Sequence, residues 1–151
     1  MVDINGNFTG YMTDLTRVFS LGDVPENALH AHQVSIEIQQ AIMEMARPGV
    51  SAAELYNRAV QIAEAGGVAD YFMGHRQKAG FVGHGIGIEI NEQPVLAPRS
   101  RDILEEGMVF ALEPKFVIPE VGPVGIENSF CVTADGVEKL TECEESIIPL
   151  D

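Results

Sequence analysis

Basic residues are scarce in this 151-residue sequence, which has 9 lysines and arginines against 23 aspartates and glutamates. The formal net charge of −14 argues against nucleic acid and anionic membranes as partners, because a phosphate-binding surface needs clustered positive charge. Cysteine is also rare. Cys131 and Cys143 form no paired metal motif and imply no disulfide framework, so a reducing cytoplasm is the expected location.

Long apolar runs are missing as well. No stretch approaches the roughly 20 apolar residues of a membrane-spanning helix, and the first residues lack the basic start and apolar core of a signal peptide. Hydrophobic residues still make up 46% of the chain, which is enough for a real core. The composition predicts one soluble domain over residues 1–151, with no membrane partner.

Turn signals and side-chain periodicity predict the first half of the fold. Residues 2–22 are rich in β-branched and aromatic residues broken by Asn-Gly and Thr-Gly, which predicts a hairpin followed by a further strand. Apolar residues then recur at helical spacing over 24–46, with Asp23 as the expected N-cap. A second helix is predicted to begin at the Ser51–Glu54 capping box and to stop at Gly66-Gly67.

The second half of the chain is predicted to be mostly strand. Residues 71–101 are marked by glycine and proline, which indicates loops and short strands. From residue 108 onward, apolar residues alternate between turn signals, which is typical of an antiparallel meander. The order of elements predicts an α+β domain with two main helices on one face of an antiparallel sheet.

Two predicted hairpins each carry a pair of carboxylates, Asp3 with Asp14 and Glu113 with Glu127. Each pair faces across its strands if the turn lies midway between the two acids. Acids on strands usually face solvent, but both glutamates lie in segments that are apolar on both alternating faces. A buried, unpaired carboxylate is costly or becomes protonated, and the local sequence supplies no lysine or arginine to each of them. A shared metal site would remove the difficulty.

A candidate nitrogen ligand lies in the segment GHGIGIEINEQP, which begins at Gly83. A lone histidine is more often structural than a ligand, but His84 would complete a site for the carboxylates. The glycines at 83, 85 and 87 allow positive φ and a close approach to the backbone. Their G-x-G-x-G spacing, with no helix start after it, does not fit a dinucleotide-binding loop.

Taken in order, D-x10-D, GHGIG, E-P and I-E closely resemble the metallopeptidase family with the pita-bread fold. That family includes methionine aminopeptidases, Xaa-Pro aminopeptidases and dipeptidases, and creatinase. The matching segments cover essentially the whole chain: VDINGNFTGYMTDLTRVFSLG, VGHGIGIEINEQP, LEEGMVFALEPKFVIP and VGIENSFCVTADGVEKLT. Each motif alone is weak, but four in this order are specific. The sequence is most similar to the Xaa-Pro peptidase branch.

The resemblance implies a dinuclear metal site with five ligands. Asp3 would chelate one ion, His84 and Glu113 would hold the other, and Asp14 and Glu127 would bridge them. One nitrogen among carboxylates favours Mn²⁺ or Co²⁺, with Fe²⁺ or Zn²⁺ as alternatives. The implied reaction is hydrolysis of an N-terminal Xaa-Pro peptide bond by metal-activated water. His84 and Glu113 are the implied catalytic residues, with Glu113 passing the proton to the leaving amine.

Three features depart from the family pattern. Asn91, the implied substrate-binding residue, replaces a second histidine, and its amide can donate a hydrogen bond but cannot carry a charge near neutral pH. Gly125 stands where many prolidase-like members have an arginine. Asp3 is the third residue, whereas the family has further helices and strands before this ligand. The chain is therefore expected to be the C-terminal part of a pita-bread catalytic domain whose N-terminal half is missing.

The leading hypothesis is a metal-dependent Xaa-Pro exopeptidase acting on peptides. The fragment alone is expected to be inactive, and whether Asp3 reaches a metal in it is left open. An exposed apolar sheet edge or face is expected, covered by self-association or by the missing N-terminal half. The alternatives are a non-catalytic module that binds peptides or partners, and a creatinase-like C–N hydrolase. Retention of all five ligand positions favours the enzyme.

Overall fold

The computed structural model describes residues 1–150. It contains two α-helices, α1 (Glu26–Met45) and α2 (Ala52–Ala65), a 3₁₀ turn at Ala69–Tyr71, and eleven strands. None of its helices has the length and apolar character that a membrane span requires. The strands are β1 (Val2–Phe8), β2 (Tyr11–Arg17), β3 (Phe19–Leu21), β4 (Gly83–Gly85), β5 (Glu92–Leu96), β6 (Val109–Leu112), β7 (Lys115–Ile118), β8 (Gly122–Gly125), β9 (Asn128–Val132), β10 (Val137–Lys139) and β11 (Ile148–Leu150).

The strands form one antiparallel sheet and three strand pairs. The main sheet has the order β10-β9-β6-β4-β5, while β1 pairs with β2, β7 with β8, and β3 in parallel with β11. Helix α1 packs on β7 and β8, and α2 packs on β5. The predicted α+β class is confirmed, although the strands do not form a single sheet. The largest buried apolar side chains include Ile38, Ile42, Leu55, Leu104, Phe110, Phe116 and Phe130.

The first hairpin corrects one predicted register. Its two-residue turn is Thr9-Gly10, and φ is positive at both residues (53° and 95°), which fits a type I′ turn. This turn lies one residue later than the midpoint between the two aspartates, so Asp14 pairs with Asn5 and Asp3 pairs with Thr16. The prediction that Asp3 and Asp14 lie directly opposite each other is therefore wrong. All four side chains still share one face of the hairpin, because side chains alternate along a strand.

The later hairpin has the predicted register. The pairing of β6 with β9 and that of β7 with β8 follow one continuous register, and both place Glu113 opposite Glu127. Both glutamates lie at the break between the two strand pairs. The turn between β7 and β8 contains Glu120, whose φ is 66°.

The two predicted helix starts have different outcomes. Ser51 begins α2 as predicted, with its Oγ accepting from the Ala53 N–H (3.2 Å) and its own N–H donating to the Glu54 carboxylate (3.3 Å). Helix α1 begins after Pro25 and has no side-chain cap. The prediction of Asp23 as its N-cap is wrong, because proline disfavours helical backbone at the preceding residue and so delays the helix start.

The first hairpin exposes apolar side chains. Every residue of β1 is exposed, and Val2, Ile4, Phe8 and Tyr11 have fractional exposures of 45%, 49%, 77% and 64%. The expectation of an exposed apolar face is confirmed. Self-association through that face stays a prediction.

Replacing Ser51 by alanine should lower the free energy of unfolding by about 1 kcal/mol, because the first turn of α2 loses its capping oxygen. Replacing Asp23 by alanine should change it by less than about 0.5 kcal/mol, since Asp23 caps no helix. Urea denaturation of both variants measures the difference. A larger loss for the Asp23 variant would contradict the assigned helix starts.

Candidate metal centre

Three predicted carboxylate ligands converge on the imidazole of a fourth predicted ligand, His84. Its Nε2 lies 3.9 Å from Asp14 Oδ2, 3.8 Å from Glu113 Oε1 and 3.9 Å from Glu127 Oε1. The other ring nitrogen, Nδ1, is 3.1 Å from the Gly85 carbonyl oxygen. That contact fits a proton on Nδ1, which leaves the Nε2 lone pair facing the carboxylates, as in a metal-binding histidine.

Several elements supply these side chains. Strand β4 places His84 in the main sheet between β5 and β6, β2 supplies Asp14, and the break in the later hairpin supplies the two glutamates. All four side chains are buried, with residue exposures of 2–9%. Ligand atoms of Asp14, His84 and Glu127 lie within 4.8 Å of one another, close enough to share one ion.

Burial dominates the electrostatics of the cluster. It raises the pKa of Glu127 to about 8, a rise supported by the nearby charges of Asp14, Glu113 and Asp3 and opposed by a hydrogen bond from Thr16. Burial also raises the pKa of Asp14, while a hydrogen bond from Asn5 opposes that rise. Packed carboxylates that resist ionisation are the environment that a divalent cation would relieve. The residues therefore fit a metal.

Asp3 lies at the margin of this cluster. Its side chain is exposed, and it is linked to Asp14 through Asn5, whose Nδ2 donates to Asp14 Oδ1 (2.9 Å) and to Asp3 Oδ1 (3.2 Å). The structure therefore brings four of the five predicted ligands together. The fifth, Asp3, is separated from them by the Asn5 side-chain amide. Asn5 was not predicted, although its position two residues after Asp3 places it on the same strand face.

Thr16 and Arg17 hold Glu127 in place, and neither was predicted. Thr16 Oγ1 donates to Glu127 Oε2 (2.7 Å), which leaves Oε1 facing His84. The Arg17 guanidinium is 1% exposed and donates to the Glu127 carbonyl oxygen (2.8 Å) and to Asn128 Oδ1 (2.7 Å). Thr16 could have been found as the next same-face residue after Asp14. Nothing in the local sequence marks Arg17 as buried.

Lys115 corrects, for Glu113 alone, the expectation that the local sequence supplies no lysine or arginine to the two glutamates. Its Nζ contacts Glu113 Oε2, while Oε1 of the same carboxylate faces His84. Across the strand pair, Gly125 has φ 156°, and a Cβ at this position would overlap the Pro114 carbonyl oxygen and lie 2.7 Å from Lys115 Cα. The arginine that many prolidase-like members have here would not fit this backbone.

The glycines around His84 serve strand packing. A Cβ at Gly85 would overlap the Gln93 carbonyl oxygen of β5, and one at Gly83 would lie 2.5 Å from the Ala111 carbonyl oxygen of β6. Close backbone approach was predicted correctly, but its partners are neighbouring strands. None of the three glycines at 83, 85 and 87 adopts the positive φ that glycine allows.

A cavity of about 390 Å³ adjoins the imidazole, and Asn91 lines it. The Phe81 ring forms another wall and meets the His84 ring edge-on, with 5.8 Å between centroids. Asn91 is therefore near the cluster, and its role in substrate binding stays a prediction. The full lining is Phe81, His84, Asn91, Glu92, Gln93 and Val95.

Comparison with known proteins identifies the family of this chain. Residues 1–134 match the family model described as metallopeptidase family M24. The chain belongs to this family. Its fold neighbours include pita-bread Xaa-Pro peptidases, so the predicted resemblance and fold are confirmed.

Individual M24 relatives match nearly all of this chain but less than half of themselves. An Xaa-Pro dipeptidase from Pyrococcus furiosus is 33% identical over 98% of this chain and 41% of its own length. An X-Pro aminopeptidase from Thermotoga maritima superposes with a TM-score of 0.89 at 28% identity, and a dipeptidase from Pyrococcus horikoshii with 0.89 at 30%. Both alignments cover 98% of this chain and 40% of the relative.

The metal-free chain should lose stability as the pH rises from about 4.5 to about 8. The pKa of Glu127 is about 8 in the folded state and 4.5 as its ordinary value, so the folded state holds a proton that the unfolded chain does not. That contribution is complete below the unfolded value, falls by up to about 1.4 kcal/mol per pH unit between the two pKa values, and is lost once the pH has risen through about 8. Melting temperatures in chelator measure it.

Glu127→Gln, which cannot ionise, should flatten this pH dependence. Glu64→Gln, on the exposed face of α2, removes the same charge away from the cluster and should leave the slope unchanged. Equal slopes in the wild type and the Glu127 variant would contradict the burial of an ionisable carboxyl in the cluster.

Proposed function

We propose that this M24 chain is the metal-holding part of an exopeptidase that removes an N-terminal residue from Xaa-Pro peptides. The observation that carries the proposal is the convergence of three buried carboxylates on the His84 Nε2 within 3.9 Å. Acids that only stabilise a fold do not need to be buried together around one imidazole, because like charges repel. The relatives named as Xaa-Pro dipeptidases support the substrate class.

The proposed cofactor is a pair of divalent ions. Asp14, His84 and Glu127 form the tightest ligand group, Glu113 lies beside it, and Asp3 is the outer ligand. When bound, such ions would lower the pKa of a water molecule and polarise the scissile carbonyl. The donor set of one nitrogen and several carboxylate oxygens favours Mn²⁺ or Co²⁺, with Fe²⁺ or Zn²⁺ as alternatives.

The protein residues would orient the substrate and move the proton. Glu113 is the proposed proton carrier, because it is the most exposed of the three carboxylates that face His84. Thr16 would keep the second oxygen of Glu127 occupied so that the first points into the centre. Asn91 would donate a hydrogen bond to the substrate from the wall of the adjoining cavity.

Several parts of the proposal concern the whole protein. Because the chain spans about 40% of the length of its relatives, the activity of this part alone is proposed to be absent or low. Peptides are the proposed substrates, and the cytoplasm is the proposed location, consistent with two free cysteines. Two alternative functions are hydrolysis of a non-peptide C–N bond and partner binding without catalysis. The assay below distinguishes both from peptidase activity.

A panel of Xaa-Pro dipeptides should be hydrolysed with Mn²⁺ or Co²⁺ by the longest gene product that contains this chain. Glu113→Gln should lower kcat by roughly 10²–10⁴-fold, because the proton carrier is lost. Liquid chromatography of the released amino acids measures the rates. Glu64→Gln is the matched control and should keep the wild-type rate.

Two results would contradict this function. The first is absence of turnover on every peptide by protein that demonstrably holds metal, which would favour a binding module. The second is full activity of the Glu113→Gln variant, which would show that the proposed proton carrier takes no part in the reaction. Turnover of a guanidino compound such as creatine, without any peptide hydrolysis, would indicate the C–N hydrolase alternative.

A further inference from the structure

The strand ladder is interrupted where it carries two of the proposed metal ligands. The pairing of β6 with β9 ends at Leu112 and Asn128. The neighbouring residues are Glu113 and Glu127, whose N–H groups donate to other segments: the first to the residue before β4 (2.9 Å) and the second to β2 (3.2 Å). The two glutamate N–H groups therefore do not bond across the strands, and other contacts must fix the spacing of these residues.

One buried side chain of α1 spans the last pair of this ladder. Gln39 is 3% exposed, its Nε2 donates to the Leu112 carbonyl oxygen (2.6 Å), and its Oε1 accepts from Asn128 Nδ2 (2.7 Å). A buried amide is costly without partners, and both ends of this amide are bonded. Gln39 therefore links the two residues that adjoin Glu113 and Glu127.

Asn128 extends this connection to β2. Its Oδ1 accepts from Arg17 Nη2 (2.7 Å), and Arg17 Nη1 donates to the carbonyl oxygens of Thr16 (2.7 Å) and Glu127 (2.8 Å). The direct backbone hydrogen bonds between Thr16 and Glu127 are longer, at 3.2 and 3.4 Å, so the charged guanidinium supplies the stronger contacts. We call Arg17, Gln39 and Asn128 the brace, and each of them is at most 3% exposed.

The brace and the metal ligands lie on opposite faces of the strand that joins them. Asn128 directly follows Glu127, and successive side chains along a strand point to opposite faces. Asn128 shares its face with the core residues Phe130 and Val132, whereas the Glu127 carboxylate faces His84. The brace can therefore hold the backbone of the ligands in place from the core side, without entering the metal centre.

Fixed ligand positions affect which ion a site can hold. Ca²⁺ takes about six to eight oxygen ligands at about 2.3–2.6 Å, whereas smaller divalent ions form shorter bonds in tighter geometries. Carboxylates that can move apart adapt to the larger ion, and carboxylates on a fixed backbone do so less readily. Selectivity between small and large ions is therefore a property of the residues that hold the ligands as well as of the ligands themselves.

We propose that Gln39, acting through the brace, is a positioning residue that keeps Glu113 and Glu127 at the spacing of a small divalent ion and so discriminates against Ca²⁺. The inference rests on the metal centre of the proposed function. Gln39 itself contacts the residues beside the ligands, so its effect should appear in ion affinity and ion preference.

Calorimetric titration with Mn²⁺ and with Ca²⁺ tests this proposal on the longest gene product that contains this chain. Gln39→Met removes both hydrogen bonds at similar size and should weaken Mn²⁺ binding by roughly 10–100-fold. Ca²⁺ binding should weaken less, so the preference for Mn²⁺ should fall. Arg17→Lys keeps the charge but loses the planar fork of donors, so it should lower the same preference and decides the question if Gln39→Met does not fold.

Two further variants of α1 separate positioning from stability. Gln40→Met makes the same change at the neighbouring exposed position and should keep the wild-type affinity for both ions. Ile42→Val shortens a fully buried side chain and should lower the stability, while the ratio of the two affinities stays unchanged. Urea denaturation in chelator measures the stability of each variant.

Peptide hydrolysis by the same proteins separates this inference from the function on which it rests. Hydrolysis of Xaa-Pro peptides by the wild type, with an unchanged ion preference in Gln39→Met, would overturn the inference and leave the function standing. An equal fall in preference in Ile42→Val would also overturn it, because the effect would then follow stability. A fall in Gln39→Met alone, with no peptide hydrolysed by the wild type, would support the brace and overturn the peptidase function.

Discussion

The main constraint on this structure is the electrostatic repulsion among three carboxylates that are buried around one imidazole. The fold must offset that repulsion. Three acids face the His84 Nε2 within 3.9 Å, and burial raises the pKa of Glu127 to about 8. A folded chain can tolerate this arrangement only if protons, hydrogen-bond donors or cations offset the charge. Protons and hydrogen-bond donors are present here, and divalent cations are implied. If cations provide most of the compensation, the cluster is a metal centre.

The surrounding fold supplies partial compensation to each acid. Asn5 donates to Asp14, Thr16 donates to Glu127, and Lys115 contacts Glu113. Each of these groups occupies one oxygen and leaves the other oriented toward the imidazole, so the cluster is prepared before any ion arrives. Preorganised ligands lose little freedom on binding, which favours a specific site over a loose acidic patch.

Four of the five predicted ligands, Asp14, His84, Glu113 and Glu127, lie together as the sequence indicated, whereas their hydrogen-bond partners were not predicted. Glycine, proline and alternation marked both hairpins, and the buried character of the glutamate segments pointed to a shared site. The type I′ turn lies one residue later than predicted, which shifts the pairing by two residues and sets Asp14 opposite Asn5; local propensity does not determine this. Buried Arg17 and the contact between Lys115 and Glu113 arise from tertiary packing, so no local pattern announces them. Helix α1 likewise begins after Pro25, so Asp23 is too far from the first turn to cap it.

The most direct measurement of the central claim is the melting temperature of this chain near neutral pH with Mn²⁺ or Co²⁺ and with chelator. If the cluster is a metal centre, ions at 100 times their dissociation constant should add about 2.7 kcal/mol to stability and raise the melting temperature by several degrees. The rise should be lost in His84→Gln, which removes the nitrogen ligand. A melting temperature unmoved by Mn²⁺, Co²⁺ and chelator would contradict the assignment of these acids to a metal.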